Sequence, residues 1–229
     1  MKKLLLILVA LLWTVSAYTQ TEKGRMFIGG SLGVSGSSNS YVDTLNNQKI
    51  NSWRVQVNPG FGGFIKNNLA IGANLNFGIN NYTQKYEYAL GRYEQTLKDN
   101  SLNIGAEAFI QYYKKIVPNF FVFIRGSLAY NHEAEKREVS TTDPYYVYTI
   151  NDPAVQHIAG NDISINFTPG LVYFITPKLG IQATFGNLYY KYSMSKNTSL
   201  PYEHNNSSSS FALNLNPSTF SLGLNYYFK

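Results

Sequence analysis

Residues 218–228 read Ser-Thr-Phe-Ser-Leu-Gly-Leu-Asn-Tyr-Tyr-Phe. In an extended chain, Phe220, Leu222, Leu224, Tyr226 and Phe228 fall on one face, and Ser221, Gly223, Asn225 and Tyr227 on the other. Strict period-2 alternation, apolar one way and small or polar the other, is the pattern of a strand with two different environments. Placed near the chain end behind an apolar leader, it predicts the closing strand of a membrane β-barrel.

The leader occupies the other terminus. Lys2 and Lys3 precede the apolar run Leu4 to Trp13, and small or polar residues follow around Ser16–Ala17. This is a charged segment, an apolar segment and a cleavage region in the order of a secretory signal. The run is far shorter than the roughly 20 residues a spanning helix needs. Cleavage after Ala17 and after Thr19 both fit; we take 1–19 as the signal peptide and 20–229 as one barrel domain. No later apolar run is long enough to span as a helix, and only helices and closed barrels satisfy the backbone in lipid.

Composition agrees. Charged residues make up 14% of the chain, against about 25% in soluble domains, and there are 19 tyrosines and no cysteine. The lack of cysteine excludes disulfides, thiolate metal sites, cysteine nucleophiles and a lipoprotein anchor. The net charge of +6 becomes +4 without Lys2 and Lys3. That modest, dispersed excess suits anionic headgroups and gives no nucleic-acid signature.

Working back from the terminal strand, seven more alternating segments emerge: about 26–34, 53–65, 69–79, 102–112, 120–130, 163–175 and 179–190. Outward sets include Met26, Ile28, Leu32 and Val34; Trp53, Val55, Val57, Phe61 and Ile65; and Leu102, Ile104, Ala106, Ala108, Ile110 and Tyr112. Short turns are expected at 66–68, 114–119 and 176–178, and long loops at 36–51, 81–100, 131–161 and 193–210. Short turns at one rim and long loops at the other are the habit of outer-membrane barrels, which turn briefly in the periplasm. Pro59 and Pro169 lie inside strands and predict local irregularities. The apolar frame slips between Leu215 and Phe220, so one extra residue is expected near 216–219. An ungapped shift of 110 residues aligns Pro59, Gly60, Phe64, Ile65, Leu69, Ile71 and Ala73 with Pro169, Gly170, Phe174, Ile175, Leu179, Ile181 and Ala183. The fold class is therefore all-β: an eight-stranded antiparallel up-and-down transmembrane barrel.

The leader, Asn-Pro-Gly-Phe-Gly-Gly-Phe-Ile at 58–65, Phe-Gly-Asn-Leu-Tyr-Tyr at 185–190 and the terminal Leu-Gly-Leu-Asn-Tyr-Tyr-Phe resemble the outer-membrane protein β-barrel domain family of Gram-negative bacteria. The resemblance implies an outer-membrane location and a terminal aromatic signal, here Tyr226 and Phe228, read by the barrel-assembly machinery. Phe228 is penultimate and Lys229 last, a departure from the usual ending.

Candidate functional residues are few. An eight-stranded barrel is just wide enough to be filled by side chains. Glu107 and Arg125, read as almost equidistant from a turn centred near Ile116, are expected to meet across the hairpin on the lumen face, as a structural plug or a polar gate. Arg54 is placed nearer the outer mouth. His132 with Glu133 and Glu135 has the residue types of a metal site, and His204 with Glu203 and Ser207 those of a lipid hydrolase. A solvated loop explains both. No Gly-x-Ser-x-Gly, P-loop or His-Glu-x-x-His motif is present, so no cofactor or catalytic residue is assigned. Tyrosines near strand ends suit a membrane girdle. Tyr82, Tyr86, Tyr88, Tyr93, Tyr145, Tyr146 and Tyr148 suit a binding surface for an extracellular ligand on loops 81–100 and 131–161. The expected partners are outer-membrane lipid and the assembly machinery, with the barrel monomeric. The functional readings are a structural or surface-binding barrel, a narrow porin-like passive channel, and an outer-leaflet lipid enzyme.

Overall fold

The computed structural model describes residues 20–43, 46–88, 93–142, 155–199, 204–215 and 220–229. The expected signal peptide, 1–19, lies outside them. Ten strands run in order: β1 (Met26–Val42), β2 (Asn46–Lys66), β3 (Leu69–Tyr88), β4 (Tyr93–Val117), β5 (Phe120–Thr141), β6 (Val155–Thr176), β7 (Leu179–Thr184), β8 (Asn187–Asn197), β9 (His204–Asn214) and β10 (Ser221–Phe228). β7 with β8, and β9 with β10, are halves of single staves. Both halves of the seventh stave pair with β6. β9 pairs with β8 and β10 with β7, and β10 returns to β1. The result is a ring of eight antiparallel staves.

Three two-residue turns close one end: Asn67–Asn68, Pro118–Asn119 and Pro177–Lys178. Asn68 and Asn119 sit at φ 65° and 64°, a region asparagine tolerates better than most side chains. Each turn is preceded by the same register shift, between Phe64 and Lys66, Lys115 and Val117, and Phe174 and Thr176. The similarity of the 59–73 and 169–183 hairpins is thus structural as well as sequential. Pro59 pairs with Gly30 but not with β3. Pro169 pairs with Ile124 but not with the seventh stave. Each proline marks a short lapse in the ladder, as a residue without an N–H must.

Strand continuity and the long loops are both corrected, the first at two places. The segment 179–190 is not one uninterrupted strand. It breaks at Phe185–Gly186, with Gly186 at φ 66°, and its outward frame passes from Ile181 to Tyr190. The frame slip at 216–219 falls outside the described residues, but the ladders on either side measure it. From Gly170 to Phe167 is three residues on β6; the matching span Thr184 to Leu188 is four, and Ser221 to Leu213 is eight. The last stave therefore carries several extra residues there, not one.

The second correction concerns the long loops. Most of 36–51, 81–100, 131–161 and 193–210 is strand, because the ladders of β1–β2, β3–β4, β5–β6 and β8–β9 continue well past the apolar band. Outward side chains change from apolar to polar at one level: Trp53 to Asn51, Ile79 to Asn81, Leu102 to Asn100, and Ile163 to Asn161. Beyond it both strand faces meet water, so alternation disappears while the hydrogen-bonded ladder persists.

Inside, the end with the short turns is packed with rings. Phe27, Phe64, Phe109, Tyr113, Phe121, Phe123, Phe174 and Tyr227 form one buried cluster with Ala70 and Val172. Phe174 and Tyr227 lie 4.9 Å apart between ring centroids, Phe64 and Tyr113 5.3 Å, and Phe27 and Tyr227 5.4 Å. Glycines make the room: a Cβ on Gly62, Gly72 or Gly170 would collide with the ring of Phe27, Phe109 or Phe123. Large rings against bare backbone are how a narrow barrel packs its interior.

Residues 20–25 lie across the same end as a strap. Gln20 Nε2 donates to Asn119 Oδ1 (2.7 Å), Asn68 N donates to Thr21 O (2.8 Å) and Arg25 Nη2 donates to Pro177 O (2.7 Å). One segment thereby holds all three short turns. No helix among the described residues is long and apolar enough to cross a membrane. Phe174→Ala should cost about 3–5 kcal/mol, the usual loss for a fully buried aromatic, in denaturant unfolding of the refolded barrel.

Candidate functional site

The lumen above the aromatic cluster is polar. The register places Arg125 opposite Gln111, and Glu107 opposite Ala129. The hairpin centre lies near Pro118–Asn119 rather than Ile116, because the turn is tight and follows a register shift. Glu107 and Arg125 are therefore diagonal, not directly opposed, and they meet only at 3.9 Å (Nη1 to Oε1). The shortest bond of Arg125 is from Nε to Gln111 Oε1, 2.8 Å, and its guanidinium stands 4.3 Å from the centroid of the Phe109 ring. Asn74 Nδ2 lies 3.3 Å from Glu107 Oε1. The expected pair is thus one edge of a wider cluster in which Arg125 rests on the aromatic layer and ties β4 to β5.

Beside this cluster lies a small polar cavity of about 10 Å³, lined among others by Asn58, Asn74, Arg125, Gln182 and Asn225. Space of that order holds about one water molecule. Gln111 Nε2 and Tyr113 Oη are buried with no protein partner among the described residues, whereas Asn225 Nδ2 donates to Gln182 Oε1 at 2.9 Å. Higher up, Lys191 Nζ faces Asp162 Oδ2 at 3.6 Å. Arg54, for which sequence offered no partner, donates through Nε to Asn80 Oδ1, and Asn80 Nδ2 donates to Ser101 Oγ at 3.0 Å.

Beyond the apolar band the ladders form an upstanding rim. On its inner side Arg137 grips Asp99 with Nε at 2.9 Å and Nη2 at 3.1 Å, and reaches Glu135 at 3.0 Å. The Asp99 hydrogen bonds raise the Arg137 pKa above its usual value. Burial raises the Glu135 pKa; Arg137 opposes this, while Asp99 and Glu133 add to it. Tyr82 donates to Gln84 Oε1 at 3.1 Å, and Gln84 in turn donates to the Tyr86 hydroxyl. These two tyrosines line the inside of the rim instead of its outer surface. The side chains of Tyr88 and Tyr93, and all of Tyr145, Tyr146 and Tyr148, lie outside the described residues.

The other sequence candidates separate. His132 bonds Asn161 at 3.0 Å on the outer face, while Glu133 and Glu135 alternate to the inner face. No group of three His, Asp or Glu side chains among the described residues is placed to hold a metal. Glu203 and the His204 side chain lie outside the described residues. Tyr226 faces outward on β10, stacked on Phe228 at 6.3 Å. What the sequence reading missed was the inner aromatic layer. Its signal was present: Phe64, Tyr113, Phe121, Phe123, Phe174 and Tyr227 share the inward parity within a few residues of the short turns or the closing end.

A ring of eight antiparallel staves with an apolar outer belt and a filled interior defines a class of membrane barrel. The chain belongs to the outer membrane protein beta-barrel domain family, whose sequence model matches residues 5–228. It is accordingly a protein of the Gram-negative outer membrane. Among solved structures it is similar to the outer membrane protein OprG of Pseudomonas aeruginosa, at 12% identity and TM-score 0.42, covering 91% of this chain and 98% of that one. It is also similar to Neisserial surface protein A, at 16% identity and TM-score 0.36, covering 90% and 98%. A third likeness is to Ail, the attachment invasion locus protein of Yersinia pestis, at 13% identity and TM-score 0.30, covering 90% and 99%. No curated protein matches the chain.

Two outcomes follow from these contacts. Arg125→Ala should destabilise the barrel by about 3–5 kcal/mol, because it strands a buried carboxylate; adding Glu107→Ala should recover part of the loss in the same unfolding assay. Arg137→Ala should leave Asp99, Glu133 and Glu135 mutually repelling. Hydrogen exchange should then quicken in the rim part of the β4–β5 ladder, by the equivalent of about 1 kcal/mol for so exposed a cluster, and stay unchanged at Ile104–Tyr112.

Proposed function

We propose that this protein is a non-conducting outer-membrane barrel that displays a recognition rim outside the cell, with its short turns and both termini in the periplasm. The observation that carries the reading is the aromatic layer. Tyr113 is 1% exposed, Phe174 1%, and Val172 and Tyr227 0%, and this close packing supports an interior closed at that level. The strap formed by residues 20–25 supports the same reading from below.

The rim supports the binding half of the proposal. Tyr and amide side chains (Tyr82, Gln84, Tyr86, Gln156) line its inner wall beside the Asp99–Arg137–Glu135 cluster. Tyrosine gives broad amphipathic contact at low entropic cost, and amides give adaptable hydrogen bonds. The hairpins β3–β4 and β5–β6 are the surfaces we assign to an extracellular ligand. The assembly-machinery role of Tyr226 and Phe228 belongs to the same proposal.

The runner-up is a narrow passive channel. It is favoured by the polar column that runs from Arg54 through Asp162 and Lys191 to Gln182, which leaves only the aromatic layer and strap as barriers. Conductance in a planar bilayer separates the two readings. Refolded protein, checked for folding by heat-modifiable migration, should give no discrete conductance. Tyr113→Ala combined with Tyr227→Ala should be needed to create one. Steady conductance from the unaltered protein would give the function to transport.

A further inference from the structure

The charges on the outer face of the rim sort by sign and height. On β2, β3, β4, β5 and β8 the last outward residues of the apolar and aromatic band are Trp53, Ile79, Leu102, Tyr130 and Met194. Within the next six residues, every full outward charge among the described residues is a lysine: Lys49, Lys85, Lys98, Lys136 and Lys196. The first outward acids, Glu87, Glu94 and Glu138, stand eight residues beyond the band. The acids at the lysine level, Asp99, Glu133, Glu135 and Asp162, have the inward parity, and Arg137 and Lys191 pair with three of them. The inner wall thus supplies most of its own counter-charges. The outer wall at this height does not.

The excess is densest on β2–β4. The register sets Lys49 directly opposite Lys85, and Lys98 opposite Thr83, so Lys98 is diagonal to Lys85. Opposed residues hold their Cβ atoms about 4.5–5.5 Å apart and diagonal ones about 7–8 Å, and like charges directly opposed weaken a ladder. All three lysines are exposed, and among the described residues none of them forms an ion pair. The neighbouring acids are engaged. Glu138, opposite Lys98, is held by Lys136 at 2.6 Å, and Glu87 accepts from Asn47 Nδ2 at 3.4 Å. Asn51 and Thr83 share the rung of Lys98 and put an amide and a hydroxyl beside the ammonium groups.

Height points to the source of the missing anion. A strand tilted near 40° climbs about 2.5 Å per residue. Lys49 is four residues beyond Trp53, and Lys98 four beyond Leu102, so their Cα atoms stand about 10 Å above the band by that rise. The headgroup layer is about 5–8 Å thick on each side of a bilayer. A lysine stem lies back along apolar surface and carries its ammonium group toward that layer.

We propose that the outer wall of β2–β4 binds a phosphomonoester-bearing lipid of the outer leaflet, its phosphate bridging Lys49 and Lys85 within reach of Lys98. A phosphodiester headgroup has a single negative charge, and a choline-type one carries its own cation as well. A phosphomonoester brings a charge of about −1.5 to −2 at neutral pH and three acceptor oxygens, which answers two opposed ammonium groups and accepts from Asn51 and Thr83 too. The lipid sits on the membrane side of the wall, apart from the ligand assigned to the inner side of the rim. Its leaflet rests on the outward placement of the long hairpins proposed above.

Trp53 reports directly on this site, being two outward positions below Lys49 on the same strand. Trp13→Phe, in the leader, leaves it the single tryptophan. The refolded protein is placed in vesicles of brominated phosphatidylcholine, which quenches tryptophan, and unbrominated lipid A is added to both leaflets, so that orientation does not enter. Fluorescence should recover at a several-fold lower mole fraction of lipid A than of dephosphorylated lipid A or phosphatidylglycerol. Lys49→Gln with Lys85→Gln should abolish most of that preference, with heat-modifiable migration retained. Lys66→Gln with Lys178→Gln, the same loss of charge at the short-turn end, should leave it intact. Equal recovery with the three lipids in the unaltered protein would overturn the proposal, and that comparison needs no lysine variant to fold. A preference that survives the Lys49 and Lys85 changes, or that falls equally in the Lys66 and Lys178 variant, would overturn it as well.

Discussion

In hydrocarbon a backbone N–H or C=O has no solvent to turn to, and each one left unpaired costs several kcal/mol. Every stave must therefore find neighbours on both sides, and the sheet must close. The constraint explains why the chain spends its residues on ladder continuity. The wall survives Pro59 and Pro169 as brief lapses on one side each, with the opposite neighbour still paired. It survives the break at Phe185–Gly186 because Phe185 N still reaches Pro169 O at 3.4 Å. Among the described residues the β1–β10 ladder ends at Gly33↔Ser221.

Closure with eight staves fixes the interior. So small a ring leaves no room for a wide aqueous pore, and side chains of the inward parity decide what little space remains. Near the short turns these are large rings set against glycine. In the middle they are amides and one arginine, which stands over Phe109, donates to Gln111 and lies 3.9 Å from Glu107, itself bonded by Asn74. A cation over a ring face gains electrostatically while its polar edge remains free for hydrogen bonds. Arg125 is therefore the hinge between the dry and polar halves. Its loss would disturb both.

Much of this was legible in the residues. Alternation such as Leu69, Ile71, Ala73, Leu75, Phe77, Ile79 against Gly72, Asn74, Asn76, Gly78 fixes both the strand and its lipid face. Where the interior is itself apolar, the contrast fades. Phe120–Phe123 is apolar on both parities, so the inward rings Phe121 and Phe123 hid in a continuous run. Where both faces are wet the contrast also fades, and the upper parts of β3 to β6 looked like loops. Register was lost for a third reason. The turn sits at Pro118–Asn119, two residues beyond the expected centre, which moves each partner by four residues, so that Glu107 faces Ala129 and Arg125 faces Gln111.

The proposal that the lumen is closed at the aromatic layer and reachable from the side of the long hairpins is open to a direct test. Ser127 faces inward at the top rung of that layer, opposite Phe109 and beside Glu107 on the neighbouring strand. A cysteine at this position is a direct probe of closure, and the chain has no other thiol. The measurement is the rate at which Ser127→Cys reacts with a small charged thiol reagent added from one side or the other of a membrane holding the protein in a single orientation. The account predicts reaction from the side of the long hairpins and protection from the side of the short turns. Equal reaction from both sides would contradict it.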